Sequence, residues 1–117
     1  MEKKMIGIEV LEEPKYQDPS EREILAENED NLTPELIDRL TRDENYWVRS
    51  VIASHPNLTE EQMNRLSQDE DKCVRGIIAM RHDLTEEQIT RLRQDQEEYV
   101  RIIIATNPHA KRKGMKL

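Results

Sequence analysis

Phenylalanine is absent from this 117-residue chain, and tryptophan and cysteine each occur once. A single cysteine, Cys73, excludes an internal disulfide and any metal cage built from cysteine alone. With three glycines there is no Gly-rich phosphate loop, and no Ser, Cys or Lys nucleophile is set beside a histidine. No stretch approaches the roughly 20 consecutive apolar residues that cross a bilayer. The apolar run from Met5 to Leu11 is interrupted by Glu9 and lacks a small-residue cleavage site, so it does not read as a secretory leader. A cytoplasmic location is the expectation. Positive charge is also scarce: 18 Lys and Arg against 25 Asp and Glu leave a net charge of −7, which disfavours general affinity for nucleic acid or anionic membranes. Hydrophobic residues make up 35% and charged residues 37%, a balance that in an ordinary globule leans toward disorder.

What the chain does have is a period. The pair Leu-Thr falls at 32–33, 58–59 and 84–85, and Val-Arg at 48–49, 74–75 and 100–101. Both step by 26 residues (58 − 32 and 74 − 48), so the repeats run over 32–57, 58–83 and 84–109. Such a period marks an array of stacked structural units. In an array each unit needs only a narrow apolar stripe shared with its neighbours, which reconciles order with the low hydrophobic content. Ahead of the repeats, Arg22-Glu23-Ile24-Leu25-Ala26 echoes Arg49-Ser50-Val51-Ile52-Ala53 at an offset of 27, a degenerate half-repeat suited to a terminal cap. The expected organisation is an N-terminal extension over 1–19 with a short extended segment at 5–11, a helical repeat domain over 20–109, and a basic, frayed tail over 110–117.

Each repeat reads as two short helices. Thr59-Glu60-Glu61-Gln62 and Thr85-Glu86-Glu87-Gln88 fit a capping box, with Thr at the N-cap and Gln three residues on. Thr33 is followed by Pro34, favoured at the first helical position. Leu32, Leu58 and Leu84 precede the caps and can staple onto Ile37, Met63 and Ile89, while Leu40, Leu66 and Leu92 continue that face. The second helix is expected to start at or just after Asp43, Asp69 and Asp95, with those aspartates as N-caps. Its buried face is Val48, Val51 and Ile52, and their equivalents 26 and 52 residues on, with Ala53, Ala79 and Ala105 where helices approach closely. His55-Pro56 and Asn107-Pro108 end two of the three. The fold class is therefore all-α, a short α-solenoid of three two-helix repeats.

The run Leu-Thr-x-Glu-x-[Ile/Met]-x-Arg-Leu, then Asp, Val-Arg and Ala, carried by Leu32-Thr33, Arg39-Leu40, Asp43, Val48-Arg49 and Ala53, resembles the leucine-rich repeat variant family and, more loosely, HEAT-like helical repeats. The resemblance covers about residues 20–109. It implies a right-handed superhelix in which an α-helix alternates with a shorter, sometimes 3₁₀, helix. Repeats of that family are somewhat shorter than 26 residues. One member carries an iron–sulfur cluster on a cysteine-rich segment, which has no counterpart here, so no cofactor is implied.

Several rows recur once per repeat. Arg49, Arg75 and Arg101 match Asp43, Asp69 and Asp95 in period. They read first as a ladder in which each guanidinium bonds an Asp or a helix-end carbonyl of a neighbouring repeat, and otherwise as a grip on phosphates or an acidic peptide. Arg39, Arg65 and Arg91 follow Glu35, Glu61 and Glu87 by four residues, the favourable order for helical ion pairs. Trp47, Cys73 and Tyr99 share a column that is either the rim of the core or, with Tyr46, an aromatic anchor for a partner. Cys73 there reads as a small buried hydrophobe. Ile102 stands where the other repeats have Ser50 and Gly76, so it is expected to be covered, by the tail or by self-association. His55, His82 and His109 drift against the period and make no row for a metal. The Asp row fails as a catalytic pair, because stacked helices hold equivalent residues about 10 Å apart. The function expected is a non-enzymatic interaction module, without cofactor or metal, that binds a protein or another copy of itself and not a membrane. Its candidate residues are Tyr46, Trp47, Arg49, Arg75, Arg101 and Ile102. Nucleic-acid or acidic-ligand binding through the arginine rows and the basic tail is the alternative.

Overall fold

A computed structural model describes residues 4–28 and 30–114. They form eight α-helices: α1 (Pro19–Ala26), α2 (Pro34–Thr41), α3 (Tyr46–Ile52), α4 (Glu60–Leu66), α5 (Lys72–Ala79), α6 (Glu86–Arg93), α7 (Glu98–Thr106) and α8 (Pro108–Gly114). Among the described residues there is no strand, only an isolated parallel bridge between Ile6 and Leu32. The all-α reading holds. The chain divides into two compact units, Met1–Leu58 and Thr59–Leu117.

Local chemistry sets where the helices start. Thr33, Thr59 and Thr85 are the N-caps of α2, α4 and α6, and each hydroxyl accepts the backbone N–H three residues on. At Thr59 and Thr85 the box is closed, because the Gln62 and Gln88 side chains accept the cap residue's own N–H at 2.9 Å. Each box satisfies two of the donors that a helix start leaves open. The second helices begin differently from expectation. Asp43, Asp69 and Asp95 are not their N-caps. Each aspartate instead accepts the N–H two residues on, at 2.9 Å, from Asn45, Asp71 and Glu97. Asn45 and Asp71 then cap α3 and α5, while Glu97 precedes α7 without a side-chain cap bond. A short Asx turn thus separates the aspartate from the helix, and leaves its outer oxygen for another partner.

In the Met1–Leu58 unit, α1 and α2 both pack on α3. Leu25, Leu32, Leu36, Ile37, Leu40, Val48, Ile52 and Ala53 form the core there. Residues 5–11 are not an extended segment. Only Ile6 pairs, donating to Asn31 O at 2.6 Å and accepting from Thr33 N at 2.9 Å, after which the chain coils into 3₁₀ helices at Ile8–Glu12 and Pro14–Gln17. The alternation Ile6, Ile8, Val10 suits a strand, but no second strand meets it, so its backbone groups close i→i+3 turns instead.

In the Thr59–Leu117 unit, α5 packs on α4, α6 and α7, and α8 packs on α6 and α7. Its core is Met63, Leu66, Val74, Ile78, Ala79, Leu84, Ile89, Leu92, Val100, Ile104 and Ala110. Fully burying a Leu or Ile side chain contributes roughly 2–3 kcal/mol, so these narrow stripes suffice without phenylalanine. Residues 110–114 are not a frayed tail: they belong to α8, and Ala110 is completely buried in the column of Leu32, Leu58 and Leu84. Asn107 makes this possible. Its Oδ1 accepts His109 N at 2.8 Å and Ala110 N at 3.3 Å, while its Nδ2 donates to Ala79 O at 2.7 Å and Arg81 O at 2.8 Å. One small amide caps α8 and ties it to the end of α5. Ala105, by contrast, is exposed, unlike Ala53 and Ala79.

Candidate partner-binding surface

Four arginines repeat one backbone contact. Arg22, Arg49, Arg75 and Arg101 each donate from Nη1 to the carbonyl six residues earlier, on Tyr16 (2.9 Å), Asp43 (2.6 Å), Asp69 (2.7 Å) and Asp95 (2.6 Å). The bond anchors the guanidinium against the turn that precedes its own helix and leaves the Nε/Nη2 edge facing outward. In the Met1–Leu58 unit Arg22 uses that edge on the Asp43 carboxylate, at 2.8 and 3.1 Å. In the Thr59–Leu117 unit Arg75 does the same to Asp95, at 2.7 and 3.2 Å. The Arg75 and Asp95 side chains are only 8% and 7% exposed. Two parallel N–H···O bonds between charged groups with little water make this the strong form of an ion pair. The Asp43 hydrogen bond raises the Arg22 pKa above its ordinary value, against the opposing pull of burial.

These contacts sort the arginine candidates. Arg75 is occupied on both edges, and Arg49 is buried. Arg101 is exposed, and among the described residues its Nε/Nη2 edge has no carboxylate. The second arginine row is plainer: Arg91 meets Glu87 at 3.5 Å on its own helix and Ser67 Oγ at 3.3 Å.

The aromatic column is half in water. Tyr46 and Trp47 are both 47% exposed at the start of α3, with ring centroids 6.1 Å apart and planes at 77°, an edge-to-face pair. Cys73 is half-buried and so is not the buried hydrophobe expected of it, and Tyr99 is exposed. Tyr99 leans on Gly76 closely enough that a Cβ there would lie 3.0 Å from its ring. That approach explains the glycine. Ser50 and Gly76 are buried, whereas Ile102, in the same column, is 54% exposed. Helix α8 does not cover it. Of the tail, residues 110–114 leave Ile102 uncovered, because α8 packs on α6 and α7 with Ala110 buried, and residues 115–117 lie outside the described residues.

His55 is buried with Nδ1 accepting Asn57 N, His109 places Nε2 at 2.8 Å from Leu84 O, and His82 is exposed. Among the described residues no three His, Cys, Asp or Glu side chains converge as a metal site, and no helix is long and apolar enough to cross a membrane. A cleft of about 430 Å³ lies beside the first 3₁₀ helix, lined by Met5, Ile6 and Val10 with Lys4, Glu9 and Glu13 at its rim. Sequence reasoning missed Asn107, whose only sequence signal is its place before Pro108 at a helix start.

Asp83 supplies a pH-dependent test of the loop after α5. Two hydrogen bonds from Arg81, at 2.9 and 2.8 Å, hold its carboxyl below the usual carboxylate range, against burial that pulls it up. A depressed folded-state pKa contributes stability above the ordinary value of about 3.9, and that contribution fades as pH falls through the lower folded value. Asp83→Asn is therefore expected to lower stability at pH 7 by less than about 1 kcal/mol, because the pair is half in water, and so to lower the melting temperature slightly. The gap between wild type and variant should close as the pH falls below the ordinary carboxylate range. A gap that widens on acidification would show the sign to be wrong.

No family model matches the chain, and neither a curated protein nor a solved structure matches it.

Proposed function

We propose that the chain is a non-enzymatic interaction module: a short right-handed α-solenoid of three 26-residue helix pairs behind a degenerate half-repeat, binding a protein or peptide partner on its surface. The carrying observation is the Tyr46–Trp47 pair. The chain has four aromatic side chains, three Tyr and one Trp, and it leaves this adjacent pair about half in water. Tyr and Trp dominate interface hot spots because each covers a large area while losing little rotamer freedom. The array is supported by helix starts that recur at 46, 72 and 98 (72 − 46 = 26, 98 − 72 = 26) and by the same Arg-to-Asp link in each unit. The nucleic-acid alternative rests on Lys111, Arg112 and Lys113 of α8, since Arg22 and Arg75 already hold carboxylates.

Affinity capture from source lysate with and without nuclease tests this. The expected result is a nuclease-resistant protein partner that Trp47→Ala binds about 10- to 100-fold more weakly, with the melting temperature unchanged. Nuclease-sensitive capture that survives Trp47→Ala and is lost on neutralising Lys111–Lys113 would replace this reading with the nucleic-acid one.

A further inference from the structure

Helix α7 ends the series of arginine forks with one left open. Arg101 is anchored as the other three are, by Nη1 to the carbonyl six residues back. The carboxylate partners of Arg22 and Arg75 come from a common place, three residues ahead of the helix that packs alongside: Asp43 ahead of α3 for Arg22, and Asp95 ahead of α7 for Arg75. No helix supplies that carboxylate to Arg101 among the described residues. Beside it on the same exposed side of α7 stand Ile102 and Ala105.

We propose that the Arg101 fork, with Ile102 beside it, is a docking site for an aspartate or glutamate carboxylate presented by a partner protein next to a small side chain. This rests on the interaction-module reading and gives it a recognition chemistry. The guanidinium is already held at its far edge, so the carboxylate meets a donor pair that loses little freedom on binding, in the bidentate geometry seen at Arg75. The neighbouring group must be small. At the equivalent place on α5, Gly76 leaves room for the Tyr99 ring, and Ile102 fills that room on α7. A second copy stacking its own α1 in this way does not match: three residues ahead of α1 stands Tyr16, which offers a carbonyl to Arg22 and no carboxylate. Stacking of a second copy through its α1 therefore does not fill the fork.

The probe is N-acetyl-aspartate N-methylamide titrated into the full ¹⁵N-labelled chain, followed at the arginine Nε–H resonances, with the asparagine analogue as control. Arg101 is assigned from its loss in Arg101→Gln. The expected result is a saturating shift at Arg101 with about fivefold tighter binding than at exposed Arg112, corresponding to roughly 1 kcal/mol for a well-oriented exposed pair, and none with the asparagine analogue. Equal, non-saturating shifts at Arg101 and Arg112 would overturn the proposal. So would an Arg101 shift that depends on protein concentration alone, which would mean that a second copy fills the fork. Either failure leaves Trp47-dependent capture intact, whereas loss of that capture with a saturating Arg101 shift would separate the fork from the Tyr46–Trp47 face.

Discussion

Arg75→Ala is expected to destabilise the Thr59–Leu117 unit by about 3 kcal/mol, the magnitude of breaking a buried ion pair by removing one partner. In a domain of this size that lowers the melting temperature by at least about 10 °C. Removing the guanidinium leaves the Asp95 carboxylate, 7% exposed, held by the Glu97 N–H without its counter-charge, and removes a donor from the Asp69 carbonyl. Asp95→Ala strands the guanidinium in turn, so the two single variants should be similarly destabilised. The double variant Arg75→Met, Asp95→Leu should recover most of the loss, because a buried pair and its apolar replacement differ far less than a pair and half a pair. Denaturant unfolding of wild type, the two alanine variants and the Met/Leu double variant measures the loss and its recovery. If Arg75→Ala unfolds within about 0.5 kcal/mol of wild type, inside the scatter of ordinary surface substitutions, the link is not structural and the guanidinium is available to a ligand.

Asn107→Ala should cost about 2–3 kcal/mol, the sum of a lost N-cap near 1 kcal/mol and two donated bonds to the α5 end. The loss should be local at first. Amide exchange in α8 is expected to speed up while α4 and α5 stay protected, since α8 hangs on Asn107 through its cap and through the Ala79 and Arg81 carbonyls. Asn107→Asp separates the two contributions. It keeps the capping oxygen but turns the donor group into an oxygen facing two carbonyl oxygens, so it should be at least as unstable as the alanine variant at neutral pH. An aspartate as stable as wild type would show that capping alone holds α8.

Most of the helix starts were legible because their chemistry spans three or four residues. Thr59 with Gln62 and Thr85 with Gln88 close their boxes as the spacing implies, and Val48, Val74 and Val100 are fully buried. The misses are places where a residue's role is set from elsewhere in the fold. Asp43 and Asp95 look like helix caps in sequence, yet their carboxylates are taken by guanidiniums 21 and 20 residues away. Helix α8 is hidden because Ala110 replaces the leucine of the column, Lys111 stands in the threonine's place, and the capping residue, Asn107, lies four residues earlier. Ile102 departs from its column in sequence, but nothing local reveals which element turns away from it. Of the candidate surface, the column positions could be read from the period, whereas the division of the arginines into occupied and open depends on which helix packs alongside.

The links that join separate elements within each unit are short in sequence. The Arg75 fork spans 20 residues, the Gln88 amide reaches Glu60 across 28, and Asn107 reaches Ala79 across 28. The entropy cost of closing such loops grows only slowly with length, and helical proteins rich in local contacts fold in microseconds to milliseconds. During synthesis each link can therefore close once about one further helix pair has left the ribosome. The apolar stripe of a nascent helix pair then waits only a few seconds for its partner at ordinary elongation rates, which shortens the interval in which an acidic, sparsely apolar chain is exposed to proteases.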